Sequence, residues 1–197
     1  MTLAAVLLAG GESHRMGRDK STLTLDGIPL WQRQLDLLRS LAPAELLVSA
    51  RQKPDWLPPD ARFIPDAPPA RGPLSGLAAA LGSFRATHLL ALPIDLPAMT
   101  APHLASLWRA ATPGCGVLPW LEDRAEPLPA IYPVEAAPVA TRLLTGEDVS
   151  LRAFADALAD AGRMKKHIIG SPDAKLYANC NTPLDWQRHV THAEIHD

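Results

Sequence analysis

Residues 7–20 read Leu-Leu-Ala-Gly-Gly-Glu-Ser-His-Arg-Met-Gly-Arg-Asp-Lys and continue an apolar run that begins at Leu3. This order predicts a β-strand that runs into a phosphate-binding loop. Adjacent glycines let the backbone adopt positive φ and approach a ligand closely, so that main-chain N–H groups point at phosphate oxygens. Arg15 and Lys20 bring positive charge to the same segment, where Arg can grip phosphate with two donors and Lys supplies a compact point charge.

Two better-known phosphate-binding motifs do not fit this loop. The dinucleotide fingerprint G-x-G-x-x-G requires a glycine spacing that Gly10, Gly11 and Gly17 do not have. The P-loop requires Gly-Lys followed by Ser or Thr, whereas this chain has Arg18-Asp19-Lys20-Ser21. The loop therefore belongs to a third kind of phosphate-binding sequence.

Length, charge and cysteine content predict one domain with a small-molecule partner. A chain of 197 residues is a natural size for one domain with a full core, so we expect a single domain over residues 1–197. The net charge of −2, with acids and bases interspersed, argues against a nucleic-acid or lipid surface. Cys115 and Cys180 lack the spacing of a zinc site and suit a reduced cytosol. The N-terminal apolar run is too short to span a membrane, so we expect a cytoplasmic protein.

Apolar, β-rich runs alternate with segments of helical periodicity in the first half of the chain. The predicted strands are Leu3–Leu8, Glu45–Ala50, Arg62–Ile64 and His88–Leu92, and the predicted helices are Pro29–Leu41 and Leu74–Phe84. The alternation predicts βαβ units and hence an α/β fold, a Rossmann-like three-layer α/β/α arrangement with a mostly parallel central sheet. Ligands collect at the carboxyl ends of strands in such sheets, where the glycine-rich loop lies.

The second half of the chain has a looser pattern. It predicts strands near Cys115–Trp120 and Leu128–Tyr132 and helices near Pro102–Ala111, Val134–Leu144 and Ser150–Ala161. A last helix begins around Pro183, with Thr182 as its N-cap and Asp185 in capping-box register. Asn179 and Asn181 alternate on a stretch predicted to be extended, which points both to one face.

Asp95 follows the fourth predicted strand and has a proline two residues away on each side. One interpretation is an Asp that starts a turn. The functional interpretation is a metal ligand, because Mg²⁺ prefers hard oxygen from one or two carboxylates and completes its shell with water and phosphates. We therefore predict that Asp95 holds Mg²⁺ opposite Arg15 and Lys20.

The pattern Leu-Ala-Gly-Gly-x-x-x-Arg-Met-Gly-x-Asp-Lys resembles the signature of the nucleotidyltransferases that activate sugars and cofactors with NTPs. Within them it is most similar to the molybdenum cofactor guanylyltransferases. Asp95 matches the metal-binding Asp of the family's Asp-x-Pro step, and Asp66 matches an Asp of its GTP site. The segment Asn179–Pro183 resembles the family's Asn-x-Asn-Thr-Pro motif. The motifs cover the chain from Leu3 to Asp185 in the expected order.

The resemblance implies an activity and a set of site residues. The activity is transfer of GMP from Mg-GTP to the terminal phosphate of molybdenum-molybdopterin, which forms the guanine dinucleotide cofactor and pyrophosphate. The implied catalytic residues are Arg15, Lys20 and Asp95, and the implied acceptor contacts are Asn179 and Asn181. The implied nucleotide contacts are Leu8, Ala9, Gly10, Gly11, Lys20, Asp66 and Asp95. The partners are then GTP and a molybdopterin-type acceptor, with molybdoenzymes or other cofactor-biosynthesis proteins as candidate recipients.

One departure from the family pattern leaves base recognition open. Where the guanylyltransferases often have Asn-Ala-Asn after the second strand, this chain has Ser49-Ala50-Arg51. A cytidylyltransferase acting on the same pterin and an NTP:phosphosugar nucleotidyltransferase are therefore alternatives. A non-catalytic nucleotide-binding protein is the alternative from a different functional class.

Overall fold

The computed structural model describes residues 1–10, 20–68, 72–180 and 185. Its strands are β1 (Leu3–Leu8), β2 (Thr24–Leu25), β3 (Ile28–Pro29), β4 (Glu45–Ala50), β5 (Arg62–Pro65), β6 (His88–Pro93), β7 (Gly116–Leu121), β8 (Arg124–Ala125), β9 (Ala130–Pro133) and β10 (Met164–Ile168). Its α-helices are α1 (Leu30–Ser40), α2 (Gly72–Leu81), α3 (Ala101–Ala110), α4 (Ala137–Leu144) and α5 (Leu151–Asp160). Short 3-10 helices lie at Lys20–Thr22, Val134–Ala136 and Ser171–Tyr177.

Within the described residues, eight strands form one sheet in the order β10-β7-β9-β6-β1-β4-β5, with β8 paired to β7. The pairs β1–β4, β1–β6, β4–β5 and β7–β10 are parallel, and β9 is antiparallel to both β6 and β7. Consequently β5, β4, β1, β6, β7 and β10 all point the same way. Their carboxyl ends share one edge of the sheet, which we call the carboxyl edge.

Helices cover both faces of the sheet because the central strands are apolar on both sides. All six residues of β1 are buried. Ala4, Val6 and Leu8 pack in one cluster with the apolar residues of α2, α4 and α5. Leu3 and Leu7 pack in the other with those of α1 and α3. Such two-sided burial is typical of parallel strands under helices, and it confirms the predicted three-layer α/β/α fold with a mostly parallel sheet.

The strands and helices predicted as far as residue 161 all occur in the described residues, with shifted ends. Helix α2 ends at Leu81 rather than Phe84, and residues 134–136 form a 3-10 turn before α4 rather than its first turn. Of the last predicted helix only Asp185 is described, in helical conformation, and Thr182 and Pro183 lie outside the described residues.

Besides the short β7–β8 pair, two strand pairings are missing from the sequence prediction. The first is the short β2–β3 hairpin, whose turn residues Asp26 and Gly27 both have positive φ. The second is β10, which lies at the edge of the sheet and, among the described strands, pairs with β7 alone. Lys165 and Lys166 are exposed on it, so it lacks the apolar run that indicates a buried strand.

The opposite, amino-terminal edge of the sheet is held by polar contacts. The carboxylate of Glu45, at the start of β4, accepts the backbone N–H of Arg85 at 2.6 Å and pairs with the Arg62 guanidinium at 3.2 Å. Thr87 donates its hydroxyl to the carbonyl of Thr2 at 2.9 Å. These contacts join the beginnings of four neighbouring strands, β6, β1, β4 and β5.

No helix in the described part of the chain is long and apolar enough to cross a membrane.

Candidate active site

The carboxyl edge gathers the residues that follow β1, β4, β5 and β6. Backbone hydrogen bonds continue the ladder past the strand ends, from Ala9 N–H to the Ser49 carbonyl at 2.8 Å and from Ile94 N–H to the Leu8 carbonyl at 3.1 Å. The N–H of Asp66 likewise donates to the Ala50 carbonyl at 3.1 Å. The glycine-rich loop, Asp66 and Asp95 therefore start from adjacent positions on one edge.

The carboxylate of Asp66 occupies the space beside Gly10. A Cβ on Gly10 would lie 2.8 Å from Asp66 Oδ2, and a Cβ on Gly76 would lie 3.0 Å from Asp66 Oδ1. Real side chains essentially never approach as closely as the first distance, so the glycine after β1 makes room for the acid. The partly buried Asp66 thus lies directly against the start of the phosphate-binding loop.

Ser49 fixes one oxygen of this carboxylate. Its hydroxyl donates to Asp66 Oδ1 at 3.0 Å and lies 3.3 Å from the carbonyl oxygen of Gly76, a longer alternative acceptor. Ser49 is 0 % exposed, so its bond is shielded from competing water. At the residue where the family pattern has Asn, this chain has a short hydroxyl that orients an acid.

A cleft of about 760 Å³ opens next to these residues. It is lined by Ala9, Gly10, Ser21, Thr22 and residues 50–56. Its volume is within the range of small-molecule sites, roughly 300–1,000 Å³. Gly10 and Ser21, which precede and follow the phosphate-binding sequence along the chain, both border the cleft.

Trp56 lines this cleft and connects residues 50–56 on one side to Ser21 on the other. Its indole N–H donates to the hydroxyl of Ser21, which is 2 % exposed, at 2.9 Å. Its ring stacks on Trp31 of α1 with centroids 5.1 Å apart and planes 9° apart. Sequence reasoning missed Trp56 and Ser21, because no local pattern indicates a contact across 35 positions.

Asp95 lies partly buried in the turn after β6, and the C-terminal segment reaches it. The N–H of Cys180 donates to the Asp95 carbonyl at 2.8 Å. The neighbouring Asn179 is exposed and lies outside any strand, contrary to the extended strand expected there. The structure therefore brings Asn179 and Asp95 to the same part of the carboxyl edge.

A buried polar pair anchors the segment that leads to Asn179. His103 Nε2 on α3 lies 2.8 Å from the Tyr177 hydroxyl, and His103 Nδ1 lies 3.4 Å from Asp173 Oδ2. Burial lowers the pKa of His103 below its usual value, against the opposing effect of Asp173. Burial also raises the pKa of the Tyr177 hydroxyl. Both groups are therefore neutral near pH 7 and hold the turn at 171–177 on α3.

Several predicted site residues lie beyond these observations. Gly11, Arg15 and Asn181 lie outside the described residues, and of Lys20 only the backbone, at the start of the 3-10 turn, is described. Leu8 is 5 % exposed, so its side chain belongs to the core and only its backbone can face the edge.

Residues 5–162 match the family model of the MobA-like NTP transferase domain. The chain belongs to the MobA-like NTP transferase family.

Individual relatives agree with this assignment. The probable molybdenum cofactor guanylyltransferase of Opitutus terrae is 35% identical over 189 residues, which is 94% of each chain. The molybdenum cofactor guanylyltransferase of Xanthomonas euvesicatoria is 31% identical over 188 residues, or 94% of this chain and 93% of the relative. The crystal structure of the molybdopterin-guanine dinucleotide biosynthesis protein A of Archaeoglobus fulgidus superposes with a TM-score of 0.77 at 22% identity, covering 98% of this chain and 99% of that one.

Membership in the MobA-like family makes the chain an enzyme of the nucleotidyltransferase class. Enzymes of this class generally use a divalent metal, and the carboxyl edge carries two partly buried carboxylates, Asp66 and Asp95, whose oxygens are hard donors of the kind that Mg²⁺ prefers. No group of three or more His, Cys, Asp or Glu that could hold a metal occurs among residues 1–10, 20–68, 72–180 and 185. A site with one or two carboxylates suits a cation that takes its other ligands from phosphates and water.

Proposed function

We propose that this nucleotidyltransferase transfers GMP from Mg-GTP to the terminal phosphate of molybdenum-bound molybdopterin. The products are the molybdopterin guanine dinucleotide cofactor and pyrophosphate. The observation that carries the proposal is the placement of Gly10, Asp66 and Asp95 together on the carboxyl edge, beside a cleft of nucleoside size. The names of the relatives from Opitutus terrae and Xanthomonas euvesicatoria support the choice of GTP and of the acceptor.

The reaction needs no general base. A phosphate monoester has a second pKa of about 6, so the acceptor is an anionic nucleophile at neutral pH. Its oxygen forms a bond to the α-phosphorus of GTP, and the bond from that phosphorus to the bridging oxygen breaks. Pyrophosphate leaves with the electron pair. The obstacle is repulsion between anions, which the residues of the site must offset.

Each proposed site residue has a distinct part in that task. Lys20 neutralises charge on the α-phosphate, and Arg15 holds the departing pyrophosphate with two donors. Asp66, fixed by Ser49, positions the nucleoside next to Gly10. Asp95 would hold Mg²⁺, which supplies positive charge to the phosphates. Asn179 and Asn181 contact the acceptor.

Substitutions of Asp95 and Lys20 test this assignment. Removal of one fixed charge or donor from such a site costs about 10²–10³-fold in turnover. We expect Asp95→Asn and Lys20→Ala to lose pyrophosphate release from GTP and the molybdopterin acceptor by that factor, with an unchanged unfolding midpoint. Asp123→Asn, which alters an exposed acid in the β7–β8 turn, is the matched control. Full activity of Asp95→Asn at limiting Mg²⁺ would contradict the metal assignment.

Binding of GTP, CTP, ATP and UTP, with and without Mg²⁺, separates the alternative functions. A magnesium-dependent preference for GTP supports guanylyl transfer, and a preference for CTP assigns cytidylyl transfer instead. Absence of binding to all four would favour a non-catalytic protein.

We further propose that the enzyme works in the cytoplasm, where Cys115 and Cys180 would stay free thiols as they are in this structure. Its product would pass to molybdoenzymes or other cofactor-biosynthesis proteins.

A further inference from the structure

Residues 51–56 are the first part of the connection between β4 and β5, and we call them the 51–56 loop. This loop forms a wall of the cleft and is held in place at Trp56. Arg51, Gln52 and Lys53 line the cleft, and each is exposed. At the other end of the loop, Trp56 is fixed by its hydrogen bond to the buried Ser21 and by its stack on Trp31. The contacts of Trp56 therefore hold the backbone from which these polar side chains extend into the cleft.

Arg51 directly follows β4 and lines the cleft near Gly10, where the glycine-rich loop starts. The residue before it, Ala50, has its Cα 3.5 Å from where a Cβ on Gly10 would lie. The carbonyl of Ala50 also accepts the N–H of Asp66. Arg51 is thus the first cleft-lining side chain beyond the β4 strand end, on the strand next to the one that carries Gly10. Space for a base is open there, whereas the side of Gly10 toward Gly76 is filled by the Asp66 carboxylate.

The chemistry of arginine selects one base for this position. A guanidinium offers two parallel donors in a rigid fork. Guanine presents two adjacent acceptors, O6 and N7, on one edge, whereas adenine pairs the N7 acceptor with a donor and cytosine presents its N4 donor there. An arginine fork therefore matches guanine and meets a like-signed donor on adenine or cytosine.

We propose that Arg51 is a specificity-determining residue that reads O6 and N7 of the guanine of GTP. The inference rests on the proposed GTP substrate and deepens it. It assigns to the arginine, at the place where the family pattern departs, the discrimination of guanine from the other bases. The acidic side chain of Asp66 remains available for the nucleoside on the other side of Gly10.

Base analogues and Arg51 variants of the full chain test this inference by calorimetric binding in the presence of Mg²⁺. The nucleotides are GTP, ITP, 7-deaza-GTP, 2-aminopurine riboside triphosphate and CTP. ITP keeps O6 and N7, 7-deaza-GTP lacks N7, and the 2-aminopurine nucleotide lacks O6. The variants are Arg51→Ala and Arg51→Lys, with Arg142→Ala on the exposed surface of α4 as the control that removes the same charge elsewhere.

We expect Arg51→Ala to weaken GTP and ITP binding about 10-fold or more while CTP binding changes less than about twofold. The wild-type protein should bind 7-deaza-GTP and the 2-aminopurine nucleotide about as weakly as Arg51→Ala binds GTP. Arg51→Lys should lose most of the same preference, since an ammonium group cannot form the two parallel bonds.

Equal weakening of all five nucleotides by Arg51→Ala would overturn the inference, because Arg51 would then contact the shared ribose or phosphates. Unchanged GTP binding by Arg51→Ala would also overturn it. The wild-type protein tests the proposed function separately. If it binds CTP more tightly than GTP, guanylyl transfer itself fails, whereas a preference for GTP that survives Arg51→Ala refutes only the role of Arg51.

Discussion

Ser49 controls the orientation of the Asp66 carboxylate. Its buried hydroxyl donates to Asp66 Oδ1, and the same carboxylate lies against Gly10 and Gly76. With no room on the two glycine sides, the hydrogen bond decides how the carboxylate is turned. If Asp66 binds the nucleotide as we propose, the neutral hydroxyl of Ser49 sets the geometry of that contact through the carboxylate.

Ser49→Ala should remove this control with little harm to the fold. We expect a loss of about 1 kcal/mol in the free energy of unfolding, because one buried hydrogen bond is lost. The KM for the nucleotide should rise several-fold while kcat changes less. Urea unfolding and steady-state kinetics measure the two effects, and Ser40→Ala, at an exposed serine of α1, is the control. An unchanged KM would show that Asp66 does not depend on Ser49.

His103 makes the stability of the protein depend on pH. Burial lowers its pKa in the folded state below the value of 6.5 expected for an unfolded chain. Above pH 6.5 both states hold a neutral ring, so the contribution of His103 is fully present. As the pH falls toward the lowered folded pKa, the unfolded chain binds a proton that the folded protein does not, and stability is lost.

His103→Gln should therefore flatten the pH dependence of unfolding. The quantity to compare is the change in the free energy of unfolding between pH 8 and pH 5, measured in urea for wild type and variant. We expect the wild-type protein to lose more stability on acidification than the variant does. The same slope in both proteins would assign the acid sensitivity to other groups.

At the scale of elements, Gly116 lies where a side chain has no room between neighbouring strands of the sheet. It begins β7, where β9 and β10 pack on either side. A Cβ there would lie 2.0 Å from the Ile131 carbonyl oxygen, 2.8 Å from Met164 Sδ and 2.9 Å from Pro133 Cδ. The nearest of these atoms is a backbone oxygen of β9, so β9 would have to shift its backbone against β7, whereas the Met164 side chain of β10 can turn aside.

Gly116→Ala should cost about 2–3 kcal/mol of stability, the range of an overpacked core. Gly82→Ala is the matched control, since a Cβ there meets only backbone oxygens at 3.6 and 3.8 Å, ordinary contact distances. Thermal unfolding of the two variants gives the comparison. Equal midpoints for both would mean that β7, β9 and β10 adjust more easily than their spacing indicates.

The elements also show what the sequence can predict. The buried strands β1 and β6 are continuous apolar runs, and their two-sided burial is what makes the runs readable. Strand β10 is not such an apolar run, so its sequence does not indicate a strand. An edge strand is less buried than a central one and has no partner strand on its outer side. Lys166 of β10 instead covers the Trp120 ring at 3.7 Å from the centroid, a contact that no local period encodes.

The same reasoning separates the predictable from the unpredictable parts of the site. Motifs that follow strand ends were expected to meet at one edge, and Gly10, Asp66 and Asp95 do so. The Ser49–Asp66 bond depends on the register of β4 against β5, and the Trp56–Ser21 bond on how a loop folds back. Neither register nor loop path follows from the spacing of residue types.

On the scale of the whole molecule, the two cores share their strands. Alternate residues of β1, β4 and β6 enter the cluster under α2, α4 and α5 or the one under α1 and α3. Loss of one cluster therefore exposes the back of the other. That residues 1–197 form a single domain stays a prediction, which unfolding measurements can test.

Urea unfolding should accordingly show one transition. We expect coincident midpoints by far-ultraviolet circular dichroism, which follows the helices, and by tryptophan fluorescence, which includes the Trp31–Trp56 pair. Saturating Mg-GTP should raise the urea midpoint. At 100 times its Kd, the ligand adds about 2.7 kcal/mol to the free energy of unfolding. Two separated transitions would contradict the single-domain expectation.

The antiparallel strand β9 lets six strands end on the same side, and it leaves the opposite rim to Thr2, Glu45, Arg62 and Thr87. We therefore expect substitutions at the amino-terminal edge to alter mainly the stability of the protein, and substitutions at the carboxyl edge to alter mainly substrate binding and turnover. Such a division lets the residues of the carboxyl edge change during evolution while those of the amino-terminal edge keep the chain folded.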